Sequence, residues 1–283
     1  MVSGENAILM TEVFFMSYVN PKLRREFESV PIEIKNEILE AGAVIQTLED
    51  FDESLRKIKE IGYQIVQISG TPLAAADMKP LLDKYGLEVV VTHRDYEDFL
   101  KNPEEIIEYN KLLGCQFCGI SYMEKNYRES SESVSKFIAG INQASEKLRQ
   151  AGLYLGYHNH AFEFAKQDGT FIMDRIIEET DPENVKFIVD TYWLQVGGMN
   201  PAGYIRKLGE RAMAIHFKDL KMNIDNKFEM AEIGEGNFDW DEIIKACGEA
   251  GTKWALVEQD VCQRDPFESL KMSYDYLRKK GFC

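Results

Sequence analysis

One pattern constrains this chain more than any other: five times a glycine ends a helix-like segment and opens a short apolar run. The five are Gly62 (GYQIVQIS), Gly86 (GLEVVVTH), Gly114 (GCQFCGIS), Gly152 (GLYLGYHN) and Gly251 (GTKWALVE). Helices commonly stop on a left-handed residue, a conformation glycine adopts without steric cost. The runs that follow are short, apolar and free of proline, as expected of strands covered on both faces. Residues 43–47, Val185–Asp190 and Ala212–Phe217 complete a set of eight. Helical spacings lie between them: Phe51, Leu55 and Ile58; Val134, Phe137, Ile138, Ile141 and Leu148; Trp240, Ile243, Ile244 and Cys247. Asn102-Pro103, Asn200-Pro201 and Asp265-Pro266 each set a capping side chain before a proline at the first helical position. Asp239 stands before Trp240 as a further cap.

Strict strand–helix alternation implies parallel strands joined by right-handed crossovers. Eight such units closing on themselves make an α/β fold, the (β/α)8 TIM barrel. A doubly wound open sheet is the alternative, but no G-x-G-x-x-G follows the first strand. Residues 41–283 have about the usual barrel length. Residues 1–40 then form an N-terminal extension, in which 31–40 (PIEIKNEILE) reads as a short amphipathic helix.

Charge excludes several function classes. With 33 basic and 48 acidic residues the net charge is −15. Nucleic-acid binding needs clustered positive charge to replace phosphate counterions, and an anionic membrane surface needs the same. No apolar run approaches the roughly 18 residues of a membrane span. The first twenty residues do not read as a signal peptide, because Glu5 and Glu12 interrupt them and no basic residue precedes the apolar stretch. Cys115 and Cys118 form a C-x-x-C inside a strand-like run, without a second pair for zinc. Buried, reduced thiols in a cytoplasmic protein are therefore expected.

A barrel of this kind carries its chemistry at the C-terminal ends of the strands. All four histidines fall there: His93 after strand 3, His158 and His160 after strand 5, His216 after strand 7. Asp190 ends strand 6, Glu258 ends strand 8 and Gln46 ends strand 1. A lone histidine at a strand end is ordinarily a satisfied hydrogen-bonding group, and a lone aspartate there caps the next helix. Convergence from separate strands points instead to a shared polar site. Imidazole and carboxylate without thiolate suit Mn2+, Zn2+, Co2+ or Fe2+ better than Mg2+, which prefers all-oxygen shells.

Several stretches carry a family resemblance: EIGYQIVQISG at strand 2, GYHNHAFEF at strand 5, FIVDTYW at strand 6, AIHFKD at strand 7, AEIGEGNFDW after it, and ALVEQD at strand 8. From about residue 41 to 283 the chain resembles the xylose isomerase-like barrel superfamily of sugar phosphate isomerases and epimerases. Its HNH at strand 5 resembles the inosose dehydratase-like branch. The resemblance implies one divalent metal held by Glu, Asp, His and Glu from strands 5 to 8. Asp190, His216 and Glu258 match the last three positions. The family's strand 5 often reads Leu-Glu-x-His, whereas this chain has Tyr157-His158-Asn159-His160. His158 therefore stands at the Glu position, and Glu163 further on is the rival ligand.

The implied reaction is isomerisation or epimerisation of a sugar or related polyhydroxy carbonyl compound through an enediolate. Glu258 is the expected base, with catalytic roles for His158 and Lys218; a solvated salt bridge to Asp219 is the plain alternative for Lys218. With histidine in place of one glutamate, a symmetric exchange between two carboxylates is harder to draw. A dehydratase or lyase acting on a keto-cyclitol or keto-sugar needs only one base and is the alternative. A non-catalytic sugar-binding barrel is a third reading. The endonuclease branch of the superfamily, with more metal ligands and a basic groove, does not suit four histidines and −15. Gln46, His93, His160, Glu163 and Trp193 are expected to contact substrate. The loop holding Glu124, Lys125 and Arg128 is placed to cover the site, and Gly234-Glu235-Gly236 reads as a turn rather than a phosphate cradle. No arginine cluster marks a phosphate pocket, so an unphosphorylated substrate is expected. A homodimer is the base-rate expectation.

Overall fold

The structure is a computed structural model and describes residues 9–14 and 48–282. Eight parallel strands close into a barrel: β1 (Leu9–Phe14), β2 (Ile65–Ser69), β3 (Glu88–Arg94), β4 (Phe117–Ile120), β5 (Tyr154–His158), β6 (Val185–Asp190), β7 (Ala212–Phe217) and β8 (Trp254–Val257). β1 pairs with both β2 and β8, which completes the ring. Around it lie α1 (Leu48–Ile61), α2 (Ala75–Tyr85), α3 (Tyr96–Lys101), α4 (Pro103–Leu113), α5 (Lys125–Arg128), α6 (Ser131–Gln150), α7 (Ile172–Glu179), α8 (Thr191–Val196), α9 (Pro201–Leu208), α10 (Trp240–Ala250) and α11 (Pro266–Lys279). Two short antiparallel ribbons add to the strand-end loops, one of them pairing Asp219–Met222 with Phe228–Ala231.

Seven of the eight strands form on the runs read from the sequence. The first does not. Its place between β2 and β8 is filled by Leu9–Phe14, so the barrel reaches into the segment expected to be an extension. LMTEVF follows no helix-terminating glycine and carries a glutamate, so it lacks the punctuation that marks the other strands. Residues 43–47, Gln46 and the helix expected over 31–40 lie outside the described residues.

The helices form for the reasons their spacing suggests. α1 buries Phe51, Leu55 and Ile58, and α6 buries Val134, Phe137, Ile138, Ile141 and Leu148. Asn200, Asp239 and Asp265 accept hydrogen bonds from backbone amides in the first turns of α9, α10 and α11. Asn102 makes no such side-chain bond, because it sits in a one-residue joint between α3 and α4. At the other ends, Gly86 and Gly251 stop α2 and α10 in the left-handed conformation at φ 59° and 73°.

The core has two layers. Between strands and helices lies the larger apolar cluster; inside the barrel Ile65, Val91, Phe117, Ile188, Met213 and Leu256 pack against one another. Gly119 on β4 is needed for that interior. A Cβ there would sit 2.5 Å from Ile188 Cδ1 and 2.6 Å from His93 Cδ2. The missing side chain leaves His93 its place in the barrel mouth. Cys115 and Cys118 are buried free thiols, as expected, and burial pushes the Cys118 thiol up to about 11. Among the described residues no helix is long and apolar enough to cross a membrane.

Ile188 is fully buried at the centre of the inner layer. Ile188→Ala should lower unfolding stability by about 2–5 kcal/mol through lost transfer energy and the cavity left behind. Urea unfolding should show a lower midpoint with an unchanged slope.

Candidate metal centre

The ends of β5 to β8 bring together His158, Asp190, His216 and Glu258, all buried. One donor atom from each lies within 4.8 Å of all the others. His158 Nε2 is 3.5 Å from Asp190 Oδ2, and His216 Nδ1 is 4.0 Å from that same oxygen. His216 Nδ1 also abuts Glu258 Oε2.

The far sides of these groups settle what they present to one another. His158 Nδ1 lies 3.2 Å from the Ser121 carbonyl, which can only accept, so Nδ1 carries the hydrogen and Nε2 presents a lone pair. His216 Nε2 donates to Gln67 Oε1 at 3.0 Å, which leaves the lone pair on Nδ1. Asp190 Oδ1 accepts from the Trp193 amide at 2.9 Å and so caps α8, while Oδ2 faces the cluster. The capping role and the site role thus belong to different oxygens of one carboxylate. His158 Nε2, Asp190 Oδ2 and Glu258 Oε2 are buried and make no hydrogen bond. Buried acceptors are rarely left so, and this set of two imidazoles and two carboxylates is what a divalent cation takes. The residues fit one divalent metal site, with His158 in the strand-5 position. Burial opposes a charge on His158, but Asp190 and Glu258 outweigh it and hold its pKa above the ordinary value. A proton and a metal ion therefore compete for Nε2.

Lys218 is buried beside the cluster. Its Nζ lies 2.7 Å from Asp260 Oδ2, 3.0 Å from Glu258 Oε1 and 3.5 Å from Asp190 Oδ2. Burial works against the ammonium, but Asp260, Glu258 and Asp190 outweigh it and hold its pKa well above the ordinary lysine value. The salt bridge to Asp219 considered for Lys218 does not form. The two residues are neighbours on an extended chain, so their side chains point to opposite sides. Asp219 turns away and accepts from the amides of Leu220 (2.8 Å), Gly234 (2.9 Å) and Gly236 (3.2 Å) and from Trp240 Nε1 (2.7 Å). The glycine turn therefore does hold an anion, the protein's own carboxylate.

The family model described as xylose isomerase-like TIM barrel matches residues 55–280. The chain belongs to that family. The inosose dehydratase of Geobacillus kaustophilus (strain HTA426) is 24% identical over 273 residues, covering 80% of this chain and 86% of that protein. The inosose dehydratase of Geobacillus thermodenitrificans (strain NG80-2) is 27% identical over 172 residues, 53% of this chain and 55% of that protein. The chain thus spans about half the length of that relative. A crystal structure of a sugar phosphate isomerase/epimerase from Parabacteroides distasonis ATCC 8503 superposes with a TM-score of 0.71 at 23% identity, covering 99% of this chain and 96% of that one. That likeness establishes a shared fold.

The remaining expected residues fall around this centre at different depths. His93 is buried beside it, its ring 5.3 Å from His158 and 5.7 Å from His216. Burial first, then these two imidazoles, hold His93 well below the ordinary histidine pKa. His160 stands on the rim, stacked on Phe162 at 5.5 Å, with Tyr122 edge-on at 5.1 Å and Trp193 at 5.5 Å. Lys218 Nζ lies 5.4 Å from the Trp193 ring. From the β4 loop, Arg128 covers Phe162 at 3.6 Å and donates to the Tyr122 hydroxyl at 2.5 Å. This wall joins the loops after β4, β5 and β6. Gln67 and Asp260 are the functional neighbours that sequence reasoning missed. The first is the lone amide in a strand that is apolar but for it and the terminal Ser69, and the second lies two residues past Glu258 in ALVEQD.

Glu163 does not join the cluster. It is fully buried, accepts from Tyr157 Oη at 2.7 Å and from the His160 amide at 2.9 Å, and so braces the β5 loop from behind. Burial pushes its carboxyl from 4.5 to about 7, against the pull of those bonds. The folded chain then holds a proton that the unfolded chain has already released. Stability should fall as pH rises from about 4.5 to 7. Glu163→Gln should remove that slope and raise stability at pH 8 by up to about 3 kcal/mol in metal-free protein. Denaturant midpoints measured across this range check it.

Proposed function

We propose that the protein is a metal-dependent lyase that removes water from an unphosphorylated keto-cyclitol or keto-sugar. One observation carries this reading: His158 stands at the strand-5 position, and Glu163 has both oxygens engaged elsewhere. Within the cluster Glu258 is then the one carboxylate that caps no helix, and Asp260, the other unengaged carboxylate on Lys218, follows two residues later past the same strand end. Isomerisation between two carboxylates needs a second one across the substrate; elimination needs one base and a proton for the leaving group.

His158, Asp190, His216 and Glu258 would hold one divalent metal, which would supply Lewis-acid chemistry toward the substrate carbonyl when bound. Glu258 removes the proton from the carbon next to the carbonyl. The C–H electron pair becomes a C=C bond, and the C–O bond one carbon further breaks. Lys218 gives its proton to the departing hydroxyl, which leaves as water. The proton on Glu258 then passes to Lys218 across their 3.0 Å contact, and both groups are reset. The aromatic wall of Tyr122, His160, Phe162 and Trp193 limits water at the mouth.

Charge supports a neutral substrate. Lys218 and a divalent ion together would balance Asp190, Glu258 and Asp260, so the buried cluster itself has no surplus positive charge for a phosphate dianion. The names of the two Geobacillus relatives support a keto-cyclitol. A second reading, isomerisation or epimerisation, is favoured by the same Lys218–Glu258 contact, because Lys218 could return the proton to another carbon or face.

Incubation of the Mn2+- or Co2+-loaded protein with an inosose and keto-sugar panel in D2O separates these readings by mass and proton NMR. A product lighter by one water is expected. Unchanged mass with deuterium on a rearranged carbon would support the second reading, and no deuterium uptake would leave a non-catalytic barrel. Glu258→Gln and Lys218→Met should each lower kcat about 10²–10⁴-fold with metal content verified. Full turnover by metal-bound Glu258→Gln would rule out Glu258 as the base.

A further inference from the structure

We propose that Gln67 is a positioning residue whose amide selects the metal-binding tautomer of His216 and sets the opposite side of His93 as a proton donor. The inference rests on the metal-centre reading above. Gln67 lies on β2, across the barrel mouth from β7, and is fully buried. Its Oε1 accepts from His216 Nε2 at 3.0 Å. Its Nε2 donates to Ser69 Oγ at 3.0 Å and to His93 Nδ1 at 3.2 Å.

An amide has one accepting end and one donating end, so its two neighbours receive opposite instructions. Facing the carbonyl, His216 must carry its hydrogen on Nε2, and its Nδ1 lone pair then points at Asp190 and Glu258. Facing the NH2 group, His93 must accept on Nδ1 and carry its hydrogen on Nε2. Turning the amide over would reverse both. His216 would then direct an N–H at the two carboxylates, a hydrogen-bonding arrangement that cannot ligate a cation. The amide thus couples the ligand state of one imidazole to the donor state of another, 5.7 Å away. Partners of this kind behind a ligating histidine typically change metal affinity by about 10–100-fold.

Three variants and two readouts test the proposal: Zn2+ affinity by chelator competition, and histidine tautomers by nitrogen-15 NMR. In the wild-type protein His216 and His93 should both be Nε2–H tautomers; an Nδ1–H His216 overturns the proposal without any variant. Gln67→Leu should weaken Zn2+ binding about 10–100-fold. Gln67→Glu keeps an acceptor for His216, so affinity should stay near wild type while His93 shifts to the Nδ1–H tautomer. Asn110→Leu removes a buried amide that bonds Thr92, Cys118 and Ile106 away from the cluster. It should lower stability and leave Zn2+ affinity unchanged. Folded Gln67→Leu with wild-type affinity, or Gln67→Glu with His93 still Nε2–H, overturns the role of Gln67 alone. Wild-type protein that binds no Zn2+ overturns the metal centre beneath it. If Gln67→Leu does not fold, the Gln67→Glu tautomer decides.

Discussion

Like charge held close together in the mouth of an apolar barrel is the constraint on which the rest of the site depends. Asp190 and Glu258 direct carboxylate oxygens into one buried space, and Asp260 adds a third from the rim. Such groups repel strongly where the dielectric is low. Lys218 offsets part of that repulsion, and its burial is tolerable only because three carboxylates surround it. A divalent ion bound on the two imidazole lone pairs would offset the rest. Removing any one member leaves the others as uncompensated buried charge, so ligation, lysine placement and barrel stability are linked.

The surrounding backbone and the side-chain amide of Gln67 keep these groups in a narrow range of states. A carbonyl after β4 fixes His158, an amide on β2 fixes His216, and the first turn of α8 fixes Asp190. These supports come from separate strands, so the closed ring of β1 to β8 is itself part of the site's geometry. Glu163, the rival for the strand-5 position, is drawn instead behind the β5 loop by Tyr157 and the His160 amide. That choice leaves an imidazole where a second carboxylate would stand, which is the feature on which the proposed elimination rests.

The strands with glycine before them were legible because a left-handed helix stop and a short apolar run are local signals. The four histidines and two acids could be placed on one rim for the same reason. Leu9–Phe14 gave no such signal, and the run at 43–47 looked more strand-like in isolation. Pairing with β2 and β8, a long-range condition, selected the actual first strand. For Lys218 sequence adjacency left a salt bridge to Asp219 open as the plain alternative to a site role; an extended chain sends such neighbours to opposite sides, and that alternative does not form. Gln67 was invisible because a single amide within an apolar strand resembles any tolerated polar core residue. Only the register of β2 against the histidines reveals what it touches. Asp260 lay in a quoted motif but past the strand end, where a loop's path decides which side chains turn inward.

Metal stoichiometry tests the central claim most directly. Elemental analysis of the purified protein, followed by chelation and titration with Mn2+, Co2+ and Zn2+, measures whether the four converging side chains hold an ion. One equivalent of divalent metal per chain is expected, with a rise in unfolding temperature on rebinding that Asp190→Asn abolishes. A protein that retains no metal and shows no thermal shift with any of the three ions would contradict the account.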